Sequence, residues 1–226
     1  MILSAILDLI YPRLCCYCEG ESDDDVFCLS CRLKAGFTDQ FEVDDPEIRN
    51  KLMGHPSLGF TAALYYYHKS GIIQKLVHLI KFGKRKDLAY LLGRCFADHY
   101  LQAQIGRCAK YVICIPVHWR RRLKRGYNQC EEFGKGICSI TGQELLKNVL
   151  LKRRHKESQT GKGRADRFEQ VKKSFYINKA EWIKGESILL IDDVLTTGAT
   201  LEAAVVLLSD AGAKEIQIGL MAQALN

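Results

Sequence analysis

The chain has 226 residues, of which 47% are hydrophobic and 26% are charged, and its formal net charge is +7. This length and composition suit a globular protein with one sizeable core. No apolar run approaches the roughly 20 residues of a membrane span and no cleavable leader begins the chain, so we expect a soluble protein without a targeting signal.

The N-terminal part, residues 1–36, is marked by clustered cysteines. The cluster contains two Cys-x2-Cys pairs, which are Cys15 with Cys18 and Cys28 with Cys31. Their spacing is typical of a four-thiolate zinc site, and incidental cysteines or disulfides are the alternative. We expect a structural Zn²⁺ and a reducing cytoplasm, and we assign Cys16, which interrupts the first pair, as a spare thiol.

Strand and helix patterns alternate from residue 61 onward. Residues 37–60 are polar with little periodicity, and we interpret them as a connector to a main domain at 61–226. The predicted strands are 61–67, 111–117, a short strand within 146–153, 187–191 and 215–223. The predicted helices are 71–83, 87–104 with Asp87 as N-cap, 128–142 and 201–212. This alternation predicts a parallel α/β sheet, in which ligands bind beyond the carboxyl ends of the strands.

The positive charge is concentrated in two segments of this domain. Residues 119–127 carry five positive side chains and no acid, and residues 152–167 carry seven against two acids. Such segments are costly to hold together without an anionic ligand, although a solvated loop can tolerate them.

Two adjacent carboxylates, Asp192 and Asp193, follow the predicted strand 187–191. They repel each other unless a cation or hydroxyl donors lie between them. Residues 196–200 then lead into a helix with backbone N–H groups and threonine hydroxyls that can bind a phosphate. A structural turn with an N-cap is the alternative. Carboxylates for sugar hydroxyls beside a phosphate cradle predict a ribose 5-phosphate pocket.

The spacing of the glycines excludes two other kinds of phosphate-binding site. The chain lacks the Gly-x4-Gly-Lys loop of an ATPase, and Gly198 stands alone where a dinucleotide site requires three spaced glycines. The strand, the run from Asp192 to Thr200 and the following helix resemble the phosphoribosyl pyrophosphate (PRPP) motif of type I phosphoribosyltransferases. The resemblance implies a PRPP-binding set of Asp192, Asp193, Leu195, Thr196, Thr197, Gly198, Ala199 and Thr200.

A second motif lies in residues 116–129, which are similar to the signature of the ComF family of competence-associated, phosphoribosyltransferase-like proteins. This similarity implies that Val117 and His118 face pyrophosphate, and that four polar residues lie close by, namely Arg122, Arg125, Asn128 and Gln129. A packed or surface histidine is the alternative for His118, and a solvent-facing basic helix start is the alternative for Arg120 and Arg121.

The segment 154–167 also resembles the mobile loop of that family, through Arg154, Gln159, Arg164 and Arg167. Its composition permits a disordered coil, and its arginines would neutralise a leaving pyrophosphate if the loop folded over PRPP. We therefore interpret coil and lid as two states of one loop.

The resemblance to ComF proteins extends over nearly the whole chain, with residues 37–60 its weakest part. It implies a type I phosphoribosyltransferase fold with an N-terminal zinc module, Mg²⁺ bound with PRPP, and a role in DNA uptake and natural transformation. The implied catalytic residues are Asp192, Asp193, His118, Arg122 and Arg154. The alternative is a non-enzymatic adaptor that binds single-stranded DNA or a competence helicase and uses PRPP as a ligand.

Overall fold

Five parallel strands form the main sheet. The structure, a computed structural model, describes residues 13–22, 26–42, 46–104, 106–153 and 171–225. The strands are β1 Leu58–Tyr67, β2 Tyr111–Cys114, β3 Glu144–Leu146, β4 Leu150–Lys152, β5 Phe175–Ile177, β6 Ser187–Leu195 and β7 Glu215–Ala224. The order of the strands in the main sheet is β1-β7-β6-β2-β3. An antiparallel pair, β4 with β5, forms a second small sheet. The predicted parallel α/β class is confirmed.

Seven helices lie in the described ranges: α1 Leu29–Lys34, α2 Pro46–Lys51, α3 Ile72–Phe82, α4 Lys86–Ala103, α5 Trp119–Arg125, α6 Gln129–Thr141 and α7 Ala199–Asp210. A 3-10 turn spans Ala180–Trp182. None of the helices in these ranges combines the length and apolar character needed to cross a bilayer.

The core lies on both faces of the sheet. In β6 the side chains of residues 188–191 are fully buried, as expected for a parallel strand covered on both sides. One face packs against α3, α4 and α6, and the other packs against α2 and α7. Successive residues of β6 alternate between these two layers, since side chains of a strand point to opposite faces.

The crossing of α4 and α6 depends on two glycines. A Cβ atom added at Gly93 would lie 2.0 Å from the Phe133 carbonyl oxygen, and one added at Gly136 would lie 2.0 Å from the Tyr90 carbonyl oxygen. The two backbones therefore approach more closely than side chains would allow. This contact fixes α6, whose N-terminus borders the acidic pair.

The predicted helices agree with the structure to within two residues, whereas several other details were wrong. β6 continues through the aspartates to Leu195, because its pairing with β7 continues to that residue. β2 ends at Cys114, before Pro116, whose ring nitrogen cannot donate a strand hydrogen bond. Asp87 lies inside the first turn of α4 and binds the Arg85 side chain, and Arg85 occupies the N-cap position.

Residues 37–60 contribute to the main core as well as linking two regions. Ile48 and Leu52 are buried beneath the sheet, next to α7. Gln40 is also buried, and its side-chain oxygen accepts a hydrogen bond from the Ala63 backbone N–H at 2.9 Å. Polar side chains thus join this segment to β1, which begins at Leu58 and not at residue 61.

Candidate functional site

The acidic pair lies at the carboxyl end of β6, at the edge of the sheet where the sequence predicts a ligand site. Asp192 is aligned with Leu220 of the neighbouring strand β7, and both aspartates are only partly exposed. The Ile115 backbone N–H, just beyond β2, donates to the Ile191 carbonyl oxygen at 2.9 Å. The segment after β2 therefore starts directly beside the acids.

Asp193 is held by two side chains that come from different helices. Lys81 Nζ lies 2.6 Å from Asp193 Oδ2, and Gln129 Nε2 donates to the same oxygen at 2.7 Å. Arg125 Nη1 in turn donates to Gln129 Oε1 at 2.7 Å. The predicted residues Gln129 and Arg125 are thus brought to Asp193, and a lysine joins them that the sequence did not mark.

Asp192 has different surroundings, because no cation pairs with it among the described residues. Its Oδ1 accepts a hydrogen bond from the Asp193 backbone N–H at 2.8 Å and lies 3.5 Å from the Cys130 thiol. Burial, followed by the charge of Asp193, raises the pKa of Asp192 to about 7. The two acids are therefore chemically unequal in spite of their identical side chains.

Residues 196–200 turn from β6 into α7. Gly198 has φ +84° and is buried, and a Cβ at this position would lie 2.7 Å from the Lys51 carbonyl oxygen of α2. Among the described residues no side chain caps the N-terminus of α7, so none of them competes with an anion for its first N–H groups. Thr196 and Thr197, which are exposed residues, directly precede this end.

His118 occupies a helix N-cap position. Its Nδ1 accepts a hydrogen bond from the Arg120 backbone N–H at 3.3 Å, at the start of α5. Among the described residues, the His118 ring forms a hydrogen bond with neither Asp192 nor Asp193. His118 therefore caps α5, and Arg120 and Arg121 lie exposed on the same helix.

Arg122 is paired with an acid of the next helix. Its Nη1 lies 3.2 Å from Glu131 Oε1, and its side chain remains largely exposed. Arg122, Glu131, Val117 and Asn128 line a cavity of about 190 Å³ between the segment after β2 and the strands β3 and β4. A leaving anion in this cavity would have to compete with Glu131 for the guanidinium group.

The four predicted loop residues, Arg154, Gln159, Arg164 and Arg167, lie outside the described residues. The described stem on either side is formed by β4 and β5, which pair through Lys152 and Phe175. The candidate lid therefore stays a prediction from the sequence.

The last turn of α3 forms part of the site, and sequence reasoning missed it. Lys81 belongs to this turn, the Tyr127 hydroxyl donates to the Ile80 carbonyl oxygen, and the Arg125 guanidinium group lies 5.5 Å from the centre of the Phe82 ring. The local signal for Lys81 is weak, because a lysine near the end of an amphipathic helix is an ordinary surface residue.

The four predicted metal ligands meet in the N-terminal module. The Sγ atoms of the two Cys-x2-Cys pairs all lie within 4.8 Å of one another, and Cys18 Sγ is 3.7 Å from Cys28 Sγ. Tetrahedral zinc with Zn–S bonds of about 2.3 Å separates its sulfur ligands by about 3.8 Å. The geometry therefore fits a Zn²⁺ ion.

The thiols of this module have unequal surroundings. Burial raises the pKa of Cys15, but hydrogen bonds from the Cys18, Cys28 and Tyr17 backbone outweigh it and lower the pKa to about 6, whereas burial raises the pKa of Cys31 to about 12. Cys16 is buried in the core and lies outside the cluster, and burial raises its pKa to about 12. The structure thus agrees with the assignment of Cys16 as a spare thiol.

Comparisons with known proteins agree with this architecture. Residues 143–224 match the phosphoribosyl transferase domain family. Competence protein F of Haemophilus influenzae is 26% identical over 215 residues, which cover 93% of this chain and 90% of that protein. Competence protein ComFC of Streptococcus pneumoniae is 34% identical over 132 residues, 58% of this chain and 56% of that protein. DNA utilization protein YhgH of Salmonella typhimurium is 25% identical over 153 residues, 66% of each chain.

Proposed function

Because the chain is similar to competence proteins and its residues 143–224 match the phosphoribosyl transferase domain family, we propose that it is a ComF-type protein that binds PRPP with Mg²⁺ and transfers the phosphoribosyl group to an acceptor. The observation that carries this proposal is the continuous run from Asp192 to Thr200. It places two carboxylates at the end of a buried parallel strand and follows them directly with the uncapped N-terminus of α7.

The 5-phosphate of PRPP would bind to residues 196–200. The N–H groups of the first turn of α7 are donors and the helix dipole favours an anion there. The hydroxyls of Thr196, Thr197 and Thr200 can add hydrogen bonds to phosphate oxygens. The left-handed backbone at Gly198 is what turns the chain tightly enough to present these groups together.

The ribose would lie against the acidic pair, whose carboxylate oxygens accept hydrogen bonds from its hydroxyls. In the reaction, the C1–O bond to pyrophosphate breaks and its electron pair leaves with pyrophosphate. The acceptor's lone pair forms the new bond to C1, and its proton is released. The carboxylate of Asp192, which pairs with no cation among the described residues, would when ionised stabilise the positive charge that develops on the sugar during this step, and Asp193 would contribute less because Lys81 pairs with it.

Pyrophosphate would leave toward the segment after β2, where Arg122 and His118 lie. The loop arginines, Arg154 among them, would close over it. Mg²⁺, when bound, neutralises the phosphates, and it prefers the hard oxygen donors that PRPP and the acidic pair offer. Asp193 is already paired with Lys81, so phosphate oxygens would supply most of the ligands.

The N-terminal module would hold a structural Zn²⁺ through Cys15, Cys18, Cys28 and Cys31. A described segment this short buries little surface of its own, and metal binding compensates for that. Two of the relatives are named as competence proteins, and we place this chain in DNA uptake and natural transformation on that basis.

One observation favours the alternative of a DNA-binding adaptor. On α5, Arg120 lies 5.3 Å from the centre of the exposed Trp119 ring, and the helix carries five basic residues. An aromatic ring beside guanidinium groups can stack a base and contact the phosphates of single-stranded DNA. A competence helicase would be the protein partner of such an adaptor.

Calorimetry followed by a pyrophosphate-release assay tests the proposal, because it separates binding from turnover. We expect PRPP with Mg²⁺ to bind the wild type and to lose its binding heat in the Asp192→Asn, Asp193→Asn double variant. Pyrophosphate release is then measured with candidate acceptors that include single-stranded DNA. Binding without release, together with DNA binding at low salt that PRPP leaves unchanged, would favour the adaptor. An unchanged binding heat in the double variant contradicts the assigned pocket.

A further inference from the structure

The C-terminal turn of α3 is fixed against the candidate site by two contacts that do not involve its lysine. The Tyr127 hydroxyl donates to the carbonyl oxygen of Ile80, and the Arg125 guanidinium group packs over the ring of Phe82. The residue between them, Lys81, therefore has its backbone held in place. Its side chain is thereby directed at the acidic pair.

Lys81 pairs with one member of that pair. Its Nζ lies 2.6 Å from Asp193 Oδ2, and the exposed fractions of the two side chains are 22% and 13%. Gln129 donates to the same carboxylate from the other side. In the described ranges, this is the single ion pair that either aspartate makes, so Lys81 is the one cation that offsets part of the negative charge of the pair.

We propose that Lys81 is a positioning residue of the sugar-phosphate site, which fixes the Asp193 carboxylate against Gln129 and supplies the positive charge that makes an acidic pair compatible with an anionic ligand. This inference rests on the proposed function, since it concerns the same pocket. Lys81 acts through Asp193, and Asp192 remains the acid without a cation.

Removal of the Lys81 charge should have opposite effects on the binding of anions and of cations. Replacing Lys81 with a neutral residue makes the pocket more negative by one charge. The pocket then repels PRPP more strongly and attracts a divalent cation more strongly. A purely structural role would weaken both kinds of ligand together, because a distorted pocket binds neither well.

The test uses the full chain with Lys81→Met, Lys81→Arg and Lys75→Met. Lys75 lies on the same helix but pairs with Glu19 of the N-terminal module at 3.9 Å, so its variant controls for loss of a lysine from α3. Two affinities are measured for each protein: that for PRPP with Mg²⁺ by calorimetry, and that for Mn²⁺ alone by electron paramagnetic resonance.

We expect Lys81→Met to bind PRPP about five- to tenfold more weakly and Mn²⁺ alone about threefold more tightly. Lys81→Arg, which keeps the charge, should stay within about twofold of the wild type, as should Lys75→Met. If Lys81→Met leaves both affinities unchanged, or weakens both together, the proposed role of Lys81 is wrong while the proposed function is unaffected. A wild type that binds no PRPP overturns the proposed function and this inference with it.

Discussion

Asp192 and Asp193 are adjacent in sequence, but the charges around their carboxylates differ. Asp193 is neutralised by Lys81, whereas Asp192 faces burial and the adjacent charge without a cation. Sequence could predict that both acids lie near the carboxyl end of a buried strand, since a run of apolar residues precedes them. It could not predict Lys81, because the residue reaches the site through the packing of α3 and not through any local motif.

The raised pKa of Asp192 predicts how stability depends on pH. With an ordinary value of 3.8 in the unfolded chain and about 7 in the folded protein, the folded state binds more protons between these values. Stability should therefore fall as pH rises from about 4 to about 7 and then level off. Asp192→Asn cannot ionise, so it should exceed the wild type by about 1–3 kcal/mol at pH 8 and by little at pH 4.5.

Urea denaturation at the two pH values measures this difference. Asp193→Asn is the matched control, and we expect it to lose stability at pH 8 because it leaves Lys81 partly buried without its partner. Equal effects of Asp192→Asn at both pH values would show that Asp192 titrates normally.

Gly198 decides the shape of the turn between β6 and α7. Its φ of +84° disfavours any other residue, and a Cβ would in addition contact the Lys51 carbonyl oxygen at 2.7 Å. We expect Gly198→Ala to cost about 2–4 kcal/mol in unfolding free energy and to weaken PRPP binding. Denaturation and calorimetry measure the two effects.

Gly142 supplies the control for this prediction. It ends α6 with φ +73°, yet a Cβ there would meet no atom within 4 Å. Gly142→Ala should therefore cost only the backbone strain, about 1 kcal/mol, and leave PRPP affinity unchanged. Equal costs at both glycines would mean that the contact with α2 contributes nothing.

The assigned ligand set predicts different zinc contents for a variant of Cys16 and for a variant of a ligand cysteine. Cys18→Ser should lose zinc, because one of four thiolate ligands is removed, whereas Cys16→Ala should keep about one Zn²⁺ per chain. Elemental analysis of the purified variants measures both. Zinc that survives Cys18→Ser, or that is lost from Cys16→Ala, contradicts the assigned ligand set.

The regular elements were predictable because apolar side chains recur with the period of the element that they build. The buried face of α3, with Leu76 and Ile80, is an example. Residues 37–60 gave no such signal, although Ile48 and Leu52 enter the core, because α2 is only six residues long. Likewise, the role of His118 as an N-cap depends on where α5 begins.

Across the whole molecule, three separate stretches of chain converge at the carboxyl edge of the sheet: the end of α3, the segment from β2 to α6, and the run from β6 to α7. Two of the cations among them are already engaged, Lys81 by Asp193 and Arg122 by Glu131. A ligand therefore enters a site with preformed pairs, and we expect binding to depend on which of these pairs it replaces.

A crystal structure of the protein soaked with PRPP and Mg²⁺ tests the central claim most directly. We predict the 5-phosphate on the backbone N–H groups of residues 197–200, and the ribose hydroxyls within hydrogen-bond distance of the acidic pair. PRPP bound elsewhere, or a pocket still empty at saturating PRPP with Asp193 paired only to Lys81 and Gln129, would contradict it.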